Sequence, residues 1–295
     1  MAGGKTQFEE FLEQEVRDSK GVYFPVKTFA VTRALTRSAK IRDLHPNPED
    51  EFCMPKIGPN YEIISRYQKE FLMNQQYYYG EPLYVEKLYP NGYRIVNGHH
   101  RWAAALMTGI TKLPIRLINL THMEDIKRIL AASAHTKRAA LDLDEVVFAA
   151  GEDVPLEEPL PYPWRKIYPE RIRLGIPALF HNLSEKGYDI WLYSAQYYST
   201  DSIQNYFRKY HVKVDGVITA IGRQIEPSGE SGKTLAKMIT DKYRYTIHID
   251  SQSVTQVIPE TKALYEYPLS GSADSWSLEV VEAIEKIEKR EKEVP

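Results

Sequence analysis

Apolar positions keep one kind of rhythm in the first part of this chain and another in the second. In the run 6–17, TQFEEFLEQEVR, Phe8, Phe11, Leu12 and Val16 recur at helical spacing and predict an amphipathic helix. VYFPVKTFAV then alternates as a strand does, and Pro25 assigns it to a sheet edge, since proline donates no ladder hydrogen bond. HPNPEDEFCMPKIGPN carries four prolines and two asparagines and reads as a loop. A helix over YEIISRYQKEFLMNQQ and a strand over EPLYVEKLY follow. Pro90-Asn91-Gly92 forms a hairpin turn into YRIVN. The next helix closes at Gly109, KLPIRLINL returns as a strand, and a helix from about Met123 to Ala132 leads onward.

From Ala139 the pattern changes. AALDLDEVVF, YDIWLYSA, VDGVITA and YTIHIDS are short apolar runs, separated by helical patterns such as IPALFHNLSEKG and KTLAKMITDKY. Buried strands alternating with helices predict an α/β unit on a parallel sheet. The tail SLEVVEAIEKIEKREKEV predicts a charged, solvated helix.

Composition narrows the function classes. With 295 residues, 43% hydrophobic and 26% charged, the chain has core material for two domains. Its net charge of −2 creates no global field toward nucleic acid or anionic membrane. Residues 1–120 carry 16 Lys/Arg against 13 Asp/Glu, or +3, and the remainder 22 against 27, or −5. That asymmetry permits nucleic-acid contact by the first half. Cys53 is the single cysteine, so neither an internal disulfide nor a cysteine zinc site can form. Without an apolar run of membrane-spanning length, and with an acidic N-terminus unlike a signal peptide, a cytoplasmic location and no membrane partner are expected.

Two stretches carry candidate chemistry. In YRIVNGHHRWAAALMTG, Asn97, Gly98, His99, His100 and Arg101 sit where a strand gives way to a helix. Helix N-termini attract anions through free N–H groups, and the basic side chains add donors, so a phosphate or nucleotide site is expected there. In AALDLDEVVF, Asp142 and Asp144 lie at a strand end, separated by one residue, which strand alternation would place on one face. Paired carboxylates share a proton, recruit a hard cation such as Mg²⁺, or cap the following helix. Ser194 and Asp250 end later strands, and Lys233 follows a loop near a helix start. PSGESGKT approaches a Walker loop, but Pro227 stands where that loop needs glycine.

The order Asp142-Leu143-Asp144-Glu145-Val146, Ser194, Lys233, Asp250 resembles the haloacid dehalogenase superfamily of phosphohydrolases over about residues 137–270. That resemblance implies Asp142 as nucleophile, Asp144 as general acid and base, and Ser194 and Lys233 as phosphate ligands. It also implies Mg²⁺ held by Asp142, Asp144 (through its carbonyl) and Asp250. Where the family often places a second acid after the last aspartate, this chain has Ser251 and Gln252. The short proline-rich segment after Asp144 suits a flap rather than a cap domain.

The strand–NGHHR–helix run is similar to the ParB/sulfiredoxin-like domain over about residues 22–120. Sulfiredoxins carry Gly-Cys-His-Arg at this turn, and without that cysteine sulfinic-acid reduction is not expected here. Free-serine kinases of the same fold carry an early glutamate, for which Glu49 or Glu51 would stand.

The fold expected is α/β. An α+β ParB/sulfiredoxin-like domain precedes a capless, Rossmann-like haloacid dehalogenase (HAD) domain with a parallel sheet. The boundaries run as an N-terminal helix at 1–20, the first domain at 21–121, a helical linker at 122–136, the HAD-like domain at 137–272 and a charged helix at 273–295. The function expected is Mg²⁺-dependent hydrolysis of a phosphomonoester, with a phosphorylated small molecule, a nucleotide or a nucleic-acid end as substrate. A small-molecule kinase and a non-catalytic, nucleotide-responsive DNA-binding module are the alternatives.

Overall fold

The computed structural model describes residues 6–19, 21–74, 80–148, 153–220 and 230–293. The chain divides into two compact units, residues 1–119 and 120–295.

In the first unit, α1 (Gln7–Ser19) lays Leu12 into the core beside Phe8, as its spacing predicts. β1 (Phe24–Val26) is shorter than expected, and the AVTRAL segment after it turns into α2 (Ala30–Leu35), which buries nothing. β2 (Ser38–Lys40), β3 (Leu44–His45), α3 (Tyr61–Met73), β4 (Leu83–Tyr89), β5 (Tyr93–Asn97), α4 (His99–Met107) and β6 (Lys112–Leu117) complete the unit. The sheet runs β2-β6-β4-β5-β3, with β1 pairing antiparallel to β4 off that path. Pro25 lies opposite Leu88 in that added strand, at the position its missing N–H requires. The 90–92 hairpin joins β4 to β5 as expected. α4 buries Trp102, Ala103, Ala104 and Ala105, and the three alanines let the helix pack closely, with α3 as its main neighbour.

The second unit begins with α5 (Met123–Ala132), which corrects the linker expected at 122–136. Ile126 and Leu130 pack with Trp191, Ile218, Leu235 and Tyr243, so burial attaches this helix to the second core. β7 (Lys137–Asp142) leads into a π-helical turn, Leu143–Val147. Then come α6 (Trp164–Ile167), α7 (Ile176–Glu185), β8 (Tyr188–Tyr193), α8 (Thr200–Lys209), β9 (Gly216–Ile218), α9 (Glu230–Lys242) and β10 (Tyr245–Ile249). The last elements are β11 (Ser253–Ile258), β12 (Ala263–Pro268) and α10 (Trp276–Glu293).

The second sheet runs β12-β11-β10-β7-β8-β9. Its four strands β10, β7, β8 and β9 are parallel, as the alternation of apolar runs predicts. β11 and β12 extend it antiparallel beyond β10, a hairpin that the reading of the sequence did not anticipate. α10 is not a solvated helix: Val280, Ala283, Ile284 and Ile287 are buried in the main core. Its charges occupy the opposite face of a true amphipathic helix.

Candidate functional site

Gly98 ends β5 and opens α4 at φ +105°, in the left-handed region where a side chain is strained. A Cβ there would also lie 2.8 Å from Leu83 Cγ. Arg101, only 5% exposed, turns back over the glycine. It donates to Asn97 Oδ1 at 3.0 Å and to the Glu81 carbonyl, fastening the start of α4 to the chain that enters β4.

The two histidines are tied to the loop that precedes α3. His99 Nε2 accepts the Asn47 N–H at 3.1 Å, so its proton sits on Nδ1, which lies 3.5 Å from Asp50 Oδ2. The ring stacks on Phe52 with centroids 5.5 Å apart. His100 Nε2 accepts the Asn60 N–H at 3.1 Å and meets Phe52 edge-on. Both imidazoles accept through Nε2 and so hold the 46–60 loop on α4, while the Nδ1–H of His99 faces Asp50. Burial pushes the buried His99 down to about 4, although the Asp50 charge opposes the shift, and burial also lowers His100. The turn offers a phosphate its main-chain N–H groups, since Gly98 has no side chain to cap the helix.

Glu49 and Glu51 are exposed, and the acid that the loop brings to His99 is Asp50 between them. Asp50 also caps a short 3₁₀ turn through the Phe52 N–H. Cys53 is pushed up to about 12 by burial and by Asp50, which removes thiolate chemistry at neutral pH.

In the second unit, Asp250, Asp142 and Ser194 stand at the C-terminal ends of, or just beyond, the neighbouring parallel strands β10, β7 and β8. This is the edge where open α/β sheets bind ligands. Asp142 Oδ1 accepts the N–H groups of Asp144 and Glu145 at 2.8 and 2.7 Å, capping the π-helical turn. Asp144 lies inside that turn, so strand alternation does not place the two carboxylates on one face. Instead Asp144 Oδ2 accepts the Ser194 hydroxyl at 2.8 Å and the Ala195 N–H at 3.1 Å, joining β7 to the loop after β8. Its Oδ1 is buried without a hydrogen-bond partner. Burial raises the Asp144 carboxyl against the hydrogen bond from Ser194, and the Asp142 charge adds to the rise.

Ser194, at 1% exposure, is committed to Asp144 and to the Gln196 N–H. Asp250 Oδ1 accepts both the N–H and the hydroxyl of Ser251. Lys233 is exposed on α9, and Pro227, Ser228 and Gly229 of the Walker-like segment lie outside the described residues. Among the described residues no three His, Cys, Asp or Glu side chains gather as a metal cage. Asp144 Oδ2 is committed to Ser194 and Oδ1 is buried, so the donors left for a cation are one oxygen each of Asp142 and Asp250 with the Asp144 carbonyl. An all-oxygen set with two carboxylates suits Mg²⁺.

Sequence reasoning missed Arg173. It is 6% exposed, bridges to Leu156, and lies with its guanidinium carbon 4.3 Å from the Trp276 ring centroid. No motif marks it, since its neighbours come from α10 and the proline-rich segment.

Residues 79–134 match the model of the ParB N-terminal domain. The match contains the whole NGHHR turn and runs on through α5. Among curated proteins nothing matches. Two crystal structures of the C-terminally truncated chromosome-partitioning protein ParB from Caulobacter crescentus are similar to part of the chain. The one complexed with CTP-γ-S shows 24% identity over 31% of this chain and 48% of that chain, with a TM-score of 0.24. The one complexed to the centromeric parS site shows 23% identity over 34% and 50%, with a TM-score of 0.23. This chain thus spans about half the length of those chains. Among the described residues no helix is long and apolar enough to cross a membrane.

The geometry makes His99 a test of the turn. A ring held neutral in the fold contributes stability that is present above pH 6.5 and lost as pH falls toward 4, because the unfolded chain takes up the proton first. Histidine NMR titration of the folded protein is expected to give His99 a midpoint near 4, and acidification over that window to cost roughly 3 kcal/mol of stability. A midpoint at or above 6.5 contradicts the acceptor role.

Proposed function

We propose that the first unit binds the phosphates of a nucleotide at the Gly98 turn, through main-chain N–H groups at the start of α4. The observation that carries this reading is a glycine-opened helix start, with no side-chain cap from Gly98, inside the segment that matches the ParB N-terminal domain. The helix dipole and N–H groups favour an anion there. Arg101 and the two histidines shape the turn, so their contribution to binding is indirect. The two Caulobacter ParB structures contain CTP-γ-S and the parS site, so CTP and DNA are the first ligands to try. A nucleotide-responsive DNA-binding module is therefore the leading function.

Calorimetry on the full chain with CTP, ATP and inorganic phosphate, with and without Mg²⁺, tests it. At least one nucleotide is expected to bind below millimolar. His100→Glu should weaken that binding at least tenfold, since a carboxylate can still accept the Asn60 N–H but puts a negative charge beside the ligand. Absence of nucleotide binding up to millimolar concentration, or an indifferent His100→Glu, contradicts the proposal.

A second reading is favoured by the carboxylate edge of the other unit, where the HAD-like resemblance lies. Asp142 keeps one carboxylate oxygen free of hydrogen bonds to the turn, and Asp144 carries a buried, unpartnered Oδ1 on a carboxyl that burial pushes toward the protonated form. In this reading the free Asp142 oxygen attacks phosphorus as the bond to the leaving oxygen breaks, and Asp144 protonates that oxygen. Asp144 then takes a proton from the water that attacks phosphorus, which frees Asp142 and releases inorganic phosphate. Ser194 and the Ala195 N–H hold Asp144 in position throughout. A bound Mg²⁺ would supply Lewis-acid neutralisation of the phosphate oxygens.

Asp142→Asn keeps the size of the side chain and its cap oxygen while removing the nucleophile. It is expected to abolish hydrolysis of p-nitrophenyl phosphate by the purified protein, with the circular dichroism spectrum unchanged. Undiminished turnover in folded Asp142→Asn would exclude the covalent route.

A further inference from the structure

The carboxylate edge contains a cation that the resemblance does not account for. Arg173 is more than nine-tenths buried, and its Nε and Nη1 atoms are sealed from solvent without a hydrogen-bond partner. Three contacts fix where it stands. Its main-chain N–H donates to the Val147 carbonyl at 2.8 Å, which ties it to the end of the turn that begins at Asp142. Its guanidinium lies 4.3 Å from the Trp276 ring centroid, and Trp276 Nε1 donates to the Asp250 carbonyl at 3.1 Å. Arg173 is therefore held beside the strand end that presents Asp250, against the far end of the turn that follows Asp142.

A buried guanidinium lowers its free energy by pairing with a carboxylate or a phosphate, and its planar fork matches either. The nearby candidate, Asp250, spends Oδ1 on Ser251 and gives Arg173 only its longer-range field. Trp276 answers the face of the guanidinium and leaves Nε and Nη1 without partners. An orphaned buried donor pair of this kind calls for a ligand. The same edge also lacks the second acid after Asp250, having Ser251 and Gln252 instead, so it has less negative charge with which to hold a cation.

We propose that Arg173 is the fixed cation of the Asp142–Asp250 edge and binds the oxygens of a phosphate group there, so that anion recognition does not depend on a metal. The proposal deepens the phosphohydrolase reading and rests on it only for the identity of the anion. Arg173 takes no part in proton transfer. It holds the phosphate against the carboxylates, which would otherwise repel it.

The test uses the full chain in EDTA, titrated with inorganic phosphate and with p-nitrophenyl phosphate. Arg173→Met retains an apolar side chain of similar length for Trp276 and removes the charge, while Arg173→Lys retains the charge without the fork. Wild-type protein is expected to bind both anions without metal. Arg173→Met should weaken both at least tenfold while its Tm stays the same or rises, because an unpaired buried charge is gone. Arg173→Lys should fall between the two. If Arg173→Met binds both anions as the wild type does, or if the wild type binds neither in EDTA, the assignment is overturned. A purely structural role is indicated by a lowered Tm with unchanged affinity, and that also overturns it. Hydrolysis assayed separately with Mg²⁺ keeps the two ideas apart. Arg173-dependent binding without turnover leaves the anion site standing and removes the enzyme, whereas turnover with an unchanged KM in Arg173→Met does the reverse.

Discussion

A charged or polar group drawn out of water must be answered by the protein, and that requirement shapes both turns of interest. In the first unit the buried Arg101 guanidinium is answered by Asn97 and by the Glu81 carbonyl. In the second, the Asp144 carboxylate is answered by Ser194 and the Ala195 N–H. Each of these groups stands just after a strand, where the chain turns into a helix. The ties that satisfy them fix the path of that turn. Remove either and the remaining partners are left buried and unpaired, a loss larger than the hydrogen bond itself contributes.

The consequence for function differs between the units. At the NGHHR turn the partners account for the side chains: His99 and His100 accept loop N–H groups, and Arg101 is spent on the chain itself. The side chains that look most like phosphate donors are tied to the loop and to the chain itself, and in the proposed reading the main chain they position is what meets the anion. At the carboxylate edge the accounting stays open. Asp144 Oδ1 and two Arg173 nitrogens have no partners. Arg94 Nε, Trp102 Nε1 and Asn182 Oδ1 are unpartnered as well, so it is the setting at the strand ends that makes the groups of this edge candidates for a ligand, a proton or an ion.

Much of the fold was legible because period and breakers speak locally. The helix at 7–19, the hairpin at 90–92 and the parallel strands after 137 follow from spacing and turn residues. Assignment of α5 to the second core and of α10 to a buried face was not legible, because burial depends on which surface a helix meets. The candidate residues divide in the same way. Asp142, Ser194 and Asp250 could be placed from strand ends alone. The direction of the histidine nitrogens, the substitution of Asp50 for Glu49 and Glu51, and the position of Arg173 beside Trp276 depend on contacts across long separations in the chain.

The claim most exposed to test is that the imidazoles of the turn are acceptors while the main chain is the anion donor. Long-range ¹H–¹⁵N spectra of the full chain at neutral pH, recorded with and without CTP, examine both parts at once. The account predicts an unprotonated Nε2 and a protonated Nδ1 on His99 and His100 in both states, with ligand-dependent shifts in the main-chain amides of His99, His100 and Arg101. Protonation of either ring at Nε2 on adding the nucleotide, with those amides unmoved, would contradict it.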